Sequence, residues 1–218
     1  MPTGPIIKEG FPLIGVMLFI TIIAVYFGYY SIAIITFILA LFFVNFFRNP
    51  KRNIPTDPDA ILSPADGKVM EIEDVYEDLY LHRECKKVTI FLSVFDVHAN
   101  RAPIEGKITY RHYTMGSFLP AFKEDVGFEN ERHTICIEND KTEVLVTQIA
   151  GLLARRIVSW TDLDSVLKRG QLYGMIKFGS CTEIYMDKNV EICIEKGQHI
   201  TGGEIGRASC RERVCLYV

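Results

Sequence analysis

The longest hydrophobic stretch of the chain lies near its N-terminus. From Phe11 to Phe47 the sequence is almost continuously apolar and contains no Asp, Glu, Lys or Arg. At 1.5 Å per residue, roughly 37 helical residues would extend about 55 Å, which is far more than one bilayer crossing needs. The pattern therefore predicts two transmembrane helices, about Phe11–Phe27 and Ile32–Phe47, within a membrane anchor that spans residues 1–52.

The basic residues that flank this stretch predict its orientation. Lys8 precedes the first predicted span, and Arg48, Lys51 and Arg52 follow the second. The positive-inside rule then places both ends, and the domain that follows, on the cytoplasmic side of the cell membrane. A single long tilted helix would reverse that side. A cleaved signal peptide is disfavoured because the stretch is too long and has no evident small-residue cleavage site.

Short alternating runs replace this pattern after a linker of residues 53–59. Turn residues such as Asp66-Gly67 and Glu105-Gly106 separate the runs, which favours strands. Two segments, Phe118–Phe128 and Asp162–Lys168, could each form a short helix. The pattern predicts a mainly β, barrel-like domain over residues 53–206. The predicted strands are Val88–Val94, Lys107–Tyr113, His133–Ile137, Glu143–Ile149, Ile157–Trp160, Thr182–Met186 and Val190–Ile194.

A weak internal repeat occurs near the end of this domain. Lys168–Gln171 followed by Gly174 is similar to Glu195–Gln198 followed by Gly202. Such a basic-Gly turn with a second glycine is typical of the hairpins in lipoyl-type barrels. Two unrelated tight turns built from similar residues would explain the pattern equally well.

Composition narrows the classes of partner. The formal net charge is −3 and no basic stripe dominates, so nucleic acid is not indicated. Six cysteines form no CxxC pair, which argues against a structural metal site and favours free thiols in a reducing compartment. The last residues, 207–218, combine three arginines with two cysteines and fit neither pattern. We expect this tail to be foreign or frameshifted.

Three segments combine residues that can carry chemistry: Ser63–Val69, Phe95–Gly106 and Lys177–Cys181. In this order, together with Asn130–Arg132 and Gly151–Ile157, they resemble the phosphatidylserine decarboxylases, specifically the short prokaryotic, archaeal-type form with an N-terminal anchor. The resemblance runs from about Ser63 to Glu204. It implies a proenzyme that cleaves itself into a large and a small chain.

The Gly179–Ser180 step suits such a cleavage. Ser180 Oγ can attack the carbonyl carbon of Gly179, and a glycine leaves that carbonyl unobstructed in a strained turn. The resemblance implies that Ser180 then becomes a pyruvoyl cofactor and that Asp66 forms part of a histidine–aspartate pair that activates the hydroxyl. His98 matches the first of two expected histidines, whereas Arg101 stands at the second. His133 is the alternative base for cleavage.

The resemblance also implies how the mature enzyme works. The pyruvoyl group would form a Schiff base with phosphatidylserine, or with an ether-lipid analogue, and release phosphatidylethanolamine after decarboxylation. His98 would deliver the proton to the former Cα. Guanidinium groups match phosphate oxygens, so Arg101, Arg155 and Arg156 are the expected ligands of the lipid phosphate. A homo-oligomer is compatible with the sequence, and no metal is expected.

Two other classes of function compete with this interpretation. A metal hydrolase could use the dispersed residues His82, His98, His112 and His133, although they form no HxH or HExxH motif. A membrane-anchored lipoyl-like adaptor or carrier without catalysis could use Lys188 as its modified lysine. That alternative leaves Gly179–Ser180, Asp66 and His98 without a role.

Overall fold

The computed structural model describes residues 4–57, 59–116, 130–151, 156–177 and 179–203, together with the backbone of 215–217. The chain divides into two compact units, Met1–Lys51 and Arg52–Val218. Each unit is described by itself. The predicted segment Phe118–Phe128 and the predicted ligand Arg155 lie outside the described residues.

Two apolar helices make up the N-terminal unit. A short 3₁₀ turn, Lys8–Gly10, leads into helix α1, Phe11–Tyr26, and helix α2 follows at Tyr30–Phe46. The continuous segment Lys8–Tyr26 is long and apolar enough to cross a membrane, whereas α2 has 17 residues. Helices therefore occupy both predicted stretches, and the crossing of a bilayer by both stays a prediction.

Small and hydroxyl-bearing residues line the contact between these helices. Ala24, Ala33 and Ala40 are buried. Thr21 Oγ1 and Thr36 Oγ1 lie 2.8 Å apart, and each hydroxyl also donates to a carbonyl of its own helix. Large apolar side chains are exposed on the outside, which is the distribution expected of a helix pair that faces lipid.

The C-terminal unit consists of strands, which confirms the predicted mainly β class. The strands lie in the short alternating runs of the sequence, between the turn residues. The strands are β1 Ile61–Leu62, β2 Gly67–Glu77, β3 Arg83–Leu92, β4 Ala99–Arg101, β5 Gly106–Thr114, β6 Arg132–Glu138, β7 Glu143–Ala150, β8 Ile157–Ser159, β9 Val166–Leu167, β10 Leu172–Ile176, β11 Ser180–Asp187, β12 Glu191–Ile192, β13 His199–Ile200 and β14 Cys215–Tyr217.

An antiparallel sheet of eight strands dominates this unit, in the order β13-β2-β3-β11-β7-β6-β5-β9. Because β13 and β9 remain at its edges, the barrel-like domain is an open half-barrel. Strand β11 lies inside the sheet, between β3 and β7. Two three-stranded sheets, β4-β10-β8 and β1-β14-β12, complete the unit. The core between the sheets is aliphatic and includes Val88, Ile90, Ile135, Val146 and Ile184.

The predicted helix Asp162–Lys168 is wrong. Asp164 adopts a left-handed φ of 66°, and Val166–Leu167 forms strand β9. The backbone amide of Asp162 donates to Ser165 Oγ over 3.1 Å, and the Ser165 amide donates to the Asp162 carbonyl over 3.2 Å. Asp and Ser favour such local turns over a helix because their short side chains bond to nearby backbone.

The internal repeat corresponds to one turn that is used twice. In Lys168–Gln171 and in Glu195–Gln198, the fourth residue's amide donates to the first residue's carbonyl. The fourth side chain, in both turns a glutamine, accepts from the first residue's amide. Gly170 and Gly197 have φ values of 74° and 90°, which glycine adopts without strain. The repeat is therefore structural.

Candidate active site

The Gly179–Ser180 peptide lies where strand β11 begins. Gly179 adopts a left-handed φ of 62°, and Ser180 is fully buried between Leu92 of β3 and Ala150 of β7. Among the described residues, Ser180 Oγ has no hydrogen-bond partner. A buried hydroxyl without a partner is costly and is therefore rare in folded proteins. The structure thus places a hydroxyl that has no partner among the described residues next to a glycine in the left-handed conformation.

The carbonyl group of Gly179 is polarised by a backbone donor. The amide of Gly151 donates to the Gly179 carbonyl oxygen over 3.1 Å. An attack by Ser180 Oγ would move negative charge onto this oxygen, and an amide already directed at it resembles an oxyanion hole. The sequence motif that starts at Gly151 does not predict this contact. A backbone amide carries no side-chain signal that could have revealed it.

His98 contacts the amide side of the same peptide segment. It lies in the loop between β3 and β4 and is fully buried. The Gly179 amide donates to His98 Nε2 over 3.2 Å, and Nδ1 lies 3.0 Å from the Asp96 carbonyl oxygen. Since a backbone amide can only donate, Nε2 is the unprotonated nitrogen and Nδ1 carries the proton. The basic nitrogen of His98 is therefore directed at Gly179.

Asp96 fixes the loop that holds His98. One carboxylate oxygen accepts from the Ser93 amide over 2.8 Å and from Ser93 Oγ over 2.7 Å. The other oxygen lies 2.9 Å from Nε2 of His199 on β13. Because His199 follows Ser180 in the chain, this contact would join the two products of a cleavage. Asp96 was not singled out from the sequence.

Asp66 is paired with an arginine. Its carboxylate accepts from Arg52 over 2.7 and 2.8 Å and from the Gly202 amide over 2.8 Å. Burial raises the pKa of Asp66, and Arg52 and the Gly202 amide oppose that rise. The structure therefore brings Asp66 together with Arg52 and brings His98 together with Gly179. The expected pairing of Asp66 with a histidine stays a prediction.

The predicted phosphate ligands differ in their surroundings. Arg101 is half-buried, and its guanidinium donates to the Gly170 carbonyl over 3.0 Å. Arg156 is exposed, and its carbonyl accepts from the amide of Lys177, two residues before Gly179. Of these two arginines, Arg156 thus has the more accessible side chain near the cleavage position.

His133, the alternative base, is buried in strand β6 and lies 3.0 Å from Gln148 Oε1. Its burial lowers its pKa to about 4, despite the hydrogen bond to Gln148 that opposes the shift. The imidazole is therefore neutral near pH 7. Its other ring nitrogen accepts from Arg111 Nε over 3.3 Å. Both nitrogens of His133 are engaged away from Gly179.

This lowered pKa predicts an acid sensitivity of the fold. Between about pH 6.5 and about pH 4 the unfolded chain binds a proton at His133 that the folded chain does not. The free energy of unfolding should therefore fall on acidification through that window, by on the order of 3 kcal/mol from this group. Urea denaturation of the full chain should show a smaller fall for His133→Gln, and equal falls would contradict the assignment.

The metal hydrolase and the lipoyl-like carrier would each depend on other residues, namely the histidines and Lys188. In the described part of the chain, no group of three or more His, Cys, Asp or Glu is arranged to hold a metal ion. His98 and His133 are engaged as described above, in different strands and loops. Lys188 lies in an exposed turn after β11 and forms an ion pair with Glu84 over 2.8 Å.

Comparisons with known proteins identify the family to which the chain is similar. The sequence model of the family described as phosphatidylserine decarboxylase matches residues 39–206. A phosphatidylserine decarboxylase proenzyme from Carboxydothermus hydrogenoformans is 49% identical over 90% of this chain and 92% of its own length. Proenzymes of the same description from Symbiobacterium thermophilum and Geotalea uraniireducens are 42% and 40% identical, again over more than nine tenths of each chain.

Proposed function

Because the chain belongs to the phosphatidylserine decarboxylase family, we propose that it is a self-processing carboxy-lyase that converts phosphatidylserine to phosphatidylethanolamine. The observation that carries the proposal is the buried hydroxyl of Ser180, which has no partner in the described part of the chain and lies beside a left-handed glycine. The relatives' description as proenzymes supports cleavage of the chain before it becomes active. The adaptor alternative gives this hydroxyl no role.

A pyruvoyl group fits the position of Ser180. The hydroxyl has no partner among the described residues, so its loss leaves no broken hydrogen bond. Apart from its chain neighbours, no described residue lies within 4 Å of the position that a Cβ on Gly179 would take, so the described part of the chain leaves that side of the glycine open. When present, the ketone of such a group supplies a carbonyl that condenses with an amine and accepts the electrons released by decarboxylation.

Self-cleavage would proceed on the chain's own atoms. Ser180 Oγ loses its proton to a base and attacks the Gly179 carbonyl carbon, and the Gly179–Ser180 amide bond breaks to leave an ester. Removal of the Ser180 Cα proton then expels the Gly179 carboxylate and leaves a dehydroalanine. This enamine tautomerises to an imine, which takes up one water molecule and releases ammonia to become the keto group. The charge on the Gly179 oxygen during the attack is stabilised by the Gly151 amide.

His98 is the proposed base for this attack and the proposed acid in turnover. Its unprotonated Nε2 is held at the Gly179 amide, and its Nδ1 proton is fixed by the Asp96 carbonyl. A histidine so oriented can serve as general base and general acid on the same peptide segment. Asp66 is proposed as the aspartate of the histidine–aspartate pair, and contacts with Arg52 and the Gly202 amide hold its carboxylate.

The lipid is proposed to bind with its phosphate at the arginines near residue 156. Arg156 is exposed beside the chain that leads to Gly179, and a guanidinium group can bind phosphate oxygens in pairs. Arg155 belongs to the same proposed set, and Arg101, opposite Leu172 at the other end of β10, is proposed as a separate ligand of the lipid. The N-terminal apolar helices support attachment to the membrane in which the substrate resides. We further propose that residues 1–52 form the membrane anchor and that residues 53–206 form the decarboxylase domain. This domain is proposed to lie on the cytoplasmic side of the membrane.

Replacing Gly151 by proline removes the amide that donates to the Gly179 carbonyl. We expect Gly151→Pro to slow self-cleavage by about 10²- to 10³-fold, the range seen when one oxyanion-hole donor is lost. Gly151→Ala keeps the amide and serves as the matched control. Time courses on denaturing gels would measure the uncut fraction, and equal rates for the two variants would remove the Gly151 amide from the mechanism.

The function itself is tested by release of CO₂ from phosphatidylserine in detergent micelles. We expect phosphatidylethanolamine and CO₂ in equal amounts, and a loss of both after treatment of the enzyme with borohydride, which reduces ketones. The small fragment should gain two hydrogen atoms in that treatment. Unchanged activity after reduction would exclude a ketone cofactor, and an absence of CO₂ release by processed enzyme would exclude the reaction.

A further inference from the structure

A chain of buried hydrogen bonds crosses the sheet from the surface to strand β11. Arg111 Nε donates to His133 over 3.3 Å, and His133 Nδ1 lies 3.0 Å from Gln148 Oε1. Gln148 Nε2 donates to Asn100 Oδ1 over 2.7 Å, and Asn100 Nδ2 donates to Thr182 Oγ1 over 3.0 Å. The chain thus joins β5, β6, β7 and β4 to β11.

All the hydrogen bonds in this series run in the same direction, from donor to acceptor, from Arg111 to Thr182. Since the Arg111 guanidinium can only donate, His133 must donate from its other nitrogen, to Gln148. The two amides then continue the sequence of acceptor and donor as far as Thr182. Hydrogen bonds aligned in this way polarise and strengthen one another. A change of Asn100 to aspartate would reverse the hydrogen bond to Thr182 and remove the donor to the Pro64 carbonyl, while leaving the shape of the side chain nearly unchanged.

Burying this series of hydrogen-bonded side chains costs free energy of folding. His133, Gln148, Asn100 and Thr182 are each exposed by 1% or less. Buried polar groups stabilise a fold less readily than apolar side chains of the same shape. Gly174 also faces the Gln148 amide, because a Cβ at residue 174 would lie 3.1 Å from that amide and 2.7 Å from the Val158 carbonyl oxygen. Stability alone does not account for such an arrangement.

The chain ends among the segments that surround the cleavage position. Thr182 lies two residues after Ser180 on β11, so both side chains are on the same face of the sheet. Asn100 lies two residues after His98, and its amide also donates to the Pro64 carbonyl over 3.3 Å, two residues before Asp66. Asn100 therefore joins the three segments that hold the proposed catalytic residues.

We propose that the buried chain of Arg111, His133, Gln148 and Asn100 is a positioning device that holds Thr182, and through it the start of strand β11, in the geometry that self-cleavage and turnover require. The inference rests on the proposed function. After cleavage, residue 180 becomes a chain end, and strand ends fray unless they are held. Thr182 would be the third residue of the small chain, and its bond to Asn100 of the large chain would keep that end in place.

Thr182→Val tests this role because it removes the hydroxyl and keeps the branched shape. We expect self-cleavage about tenfold slower and a lower kcat in the processed fraction, with KM nearly unchanged. Thr182→Ser restores the hydroxyl and should return both rates towards those of the unchanged chain. Asn100→Asp reverses the donor that faces Thr182 and should slow cleavage at least as much as Thr182→Val.

Thr147→Val is the matched control. Thr147 is also buried, belongs to the neighbouring strand β7 and bonds to the Thr134 hydroxyl over 3.0 Å, but it alternates with Gln148 and so lies on the other face of the sheet. Thr147→Val should leave the rate of self-cleavage unchanged, while lowering the melting temperature by about as much as Thr182→Val does. Equal rates of cleavage in Thr182→Val and the unchanged chain would overturn the inference, as would equal slowing by Thr147→Val. An unchanged chain that stays uncut would instead overturn the proposed function.

Discussion

Ser180→Ala should leave the chain in one piece and without decarboxylase activity. The substitution removes the hydroxyl proposed to attack the Gly179 carbonyl and the proposed source of the keto group. Since Ser180 Oγ has no hydrogen-bond partner among the described residues, its loss should cost the fold little. Denaturing gels should show one band, and CO₂ release should fall to the level without enzyme.

Ser159→Ala provides the control for this result. Ser159 lies in β8, and its hydroxyl donates to the Thr161 carbonyl over 3.1 Å. This variant should be cut and active. Cleavage at the same position in Ser180→Ala, or full activity of the uncut chain, would contradict the assignment of Ser180.

His98→Ala should slow both self-cleavage and turnover by at least 10²-fold, the lower range for loss of a general acid–base group. The alanine removes the acceptor of the Gly179 amide and leaves that amide without its partner in a buried position. The effect would then combine lost proton transfer with lost positioning. Gel time courses and CO₂ release measure the two rates separately.

His98→Gln separates these two contributions. A glutamine carbonyl oxygen can accept from the Gly179 amide, but it cannot take up and return a proton near pH 7. We expect this variant to fold with a melting temperature close to that of the unchanged chain and to remain slow in both reactions. The exposed His112 on β5 is the control position, where His112→Ala should change neither rate. Normal turnover by His98→Gln would remove His98 from proton transfer.

The helices and several strands could be predicted because local patterns determine them. An uncharged apolar run can satisfy its backbone only as helix in a membrane, and α1 and α2 occupy that run. Alternating residues predicted Lys107–Tyr113 and Glu143–Ile149, which the structure extends by one residue at one or both ends. Strand β2, Gly67–Glu77, was not predicted because its half-exposed, acidic residues give a weak apolar alternation.

The site was predictable only where side chains carry the chemistry. Ser180, Gly179 and His98 were identified from their motifs, and the structure brings them together at one peptide segment. The Gly151 donor could not be predicted because it is a backbone amide, placed there by the pairing of β7 with β11. The Arg52–Asp66 ion pair joins residues 14 positions apart, through a linker whose path no local pattern specifies.

The C-terminal tail illustrates a different limit. The family match ends at residue 206, immediately before the segment expected to be foreign. The backbone of Cys215–Tyr217 nevertheless forms strand β14, parallel to β1 and β12. Backbone pairing of this kind requires few specific side chains. The origin of the tail stays a prediction.

Mass spectrometry of the purified full chain tests the central claim most directly. After incubation in detergent, we expect two fragments that meet between Gly179 and Ser180. The smaller fragment should begin with a keto group instead of an amino-terminal serine. An intact chain of 218 residues, or a smaller fragment that begins with an unmodified serine, would contradict the conversion of Ser180 into the cofactor.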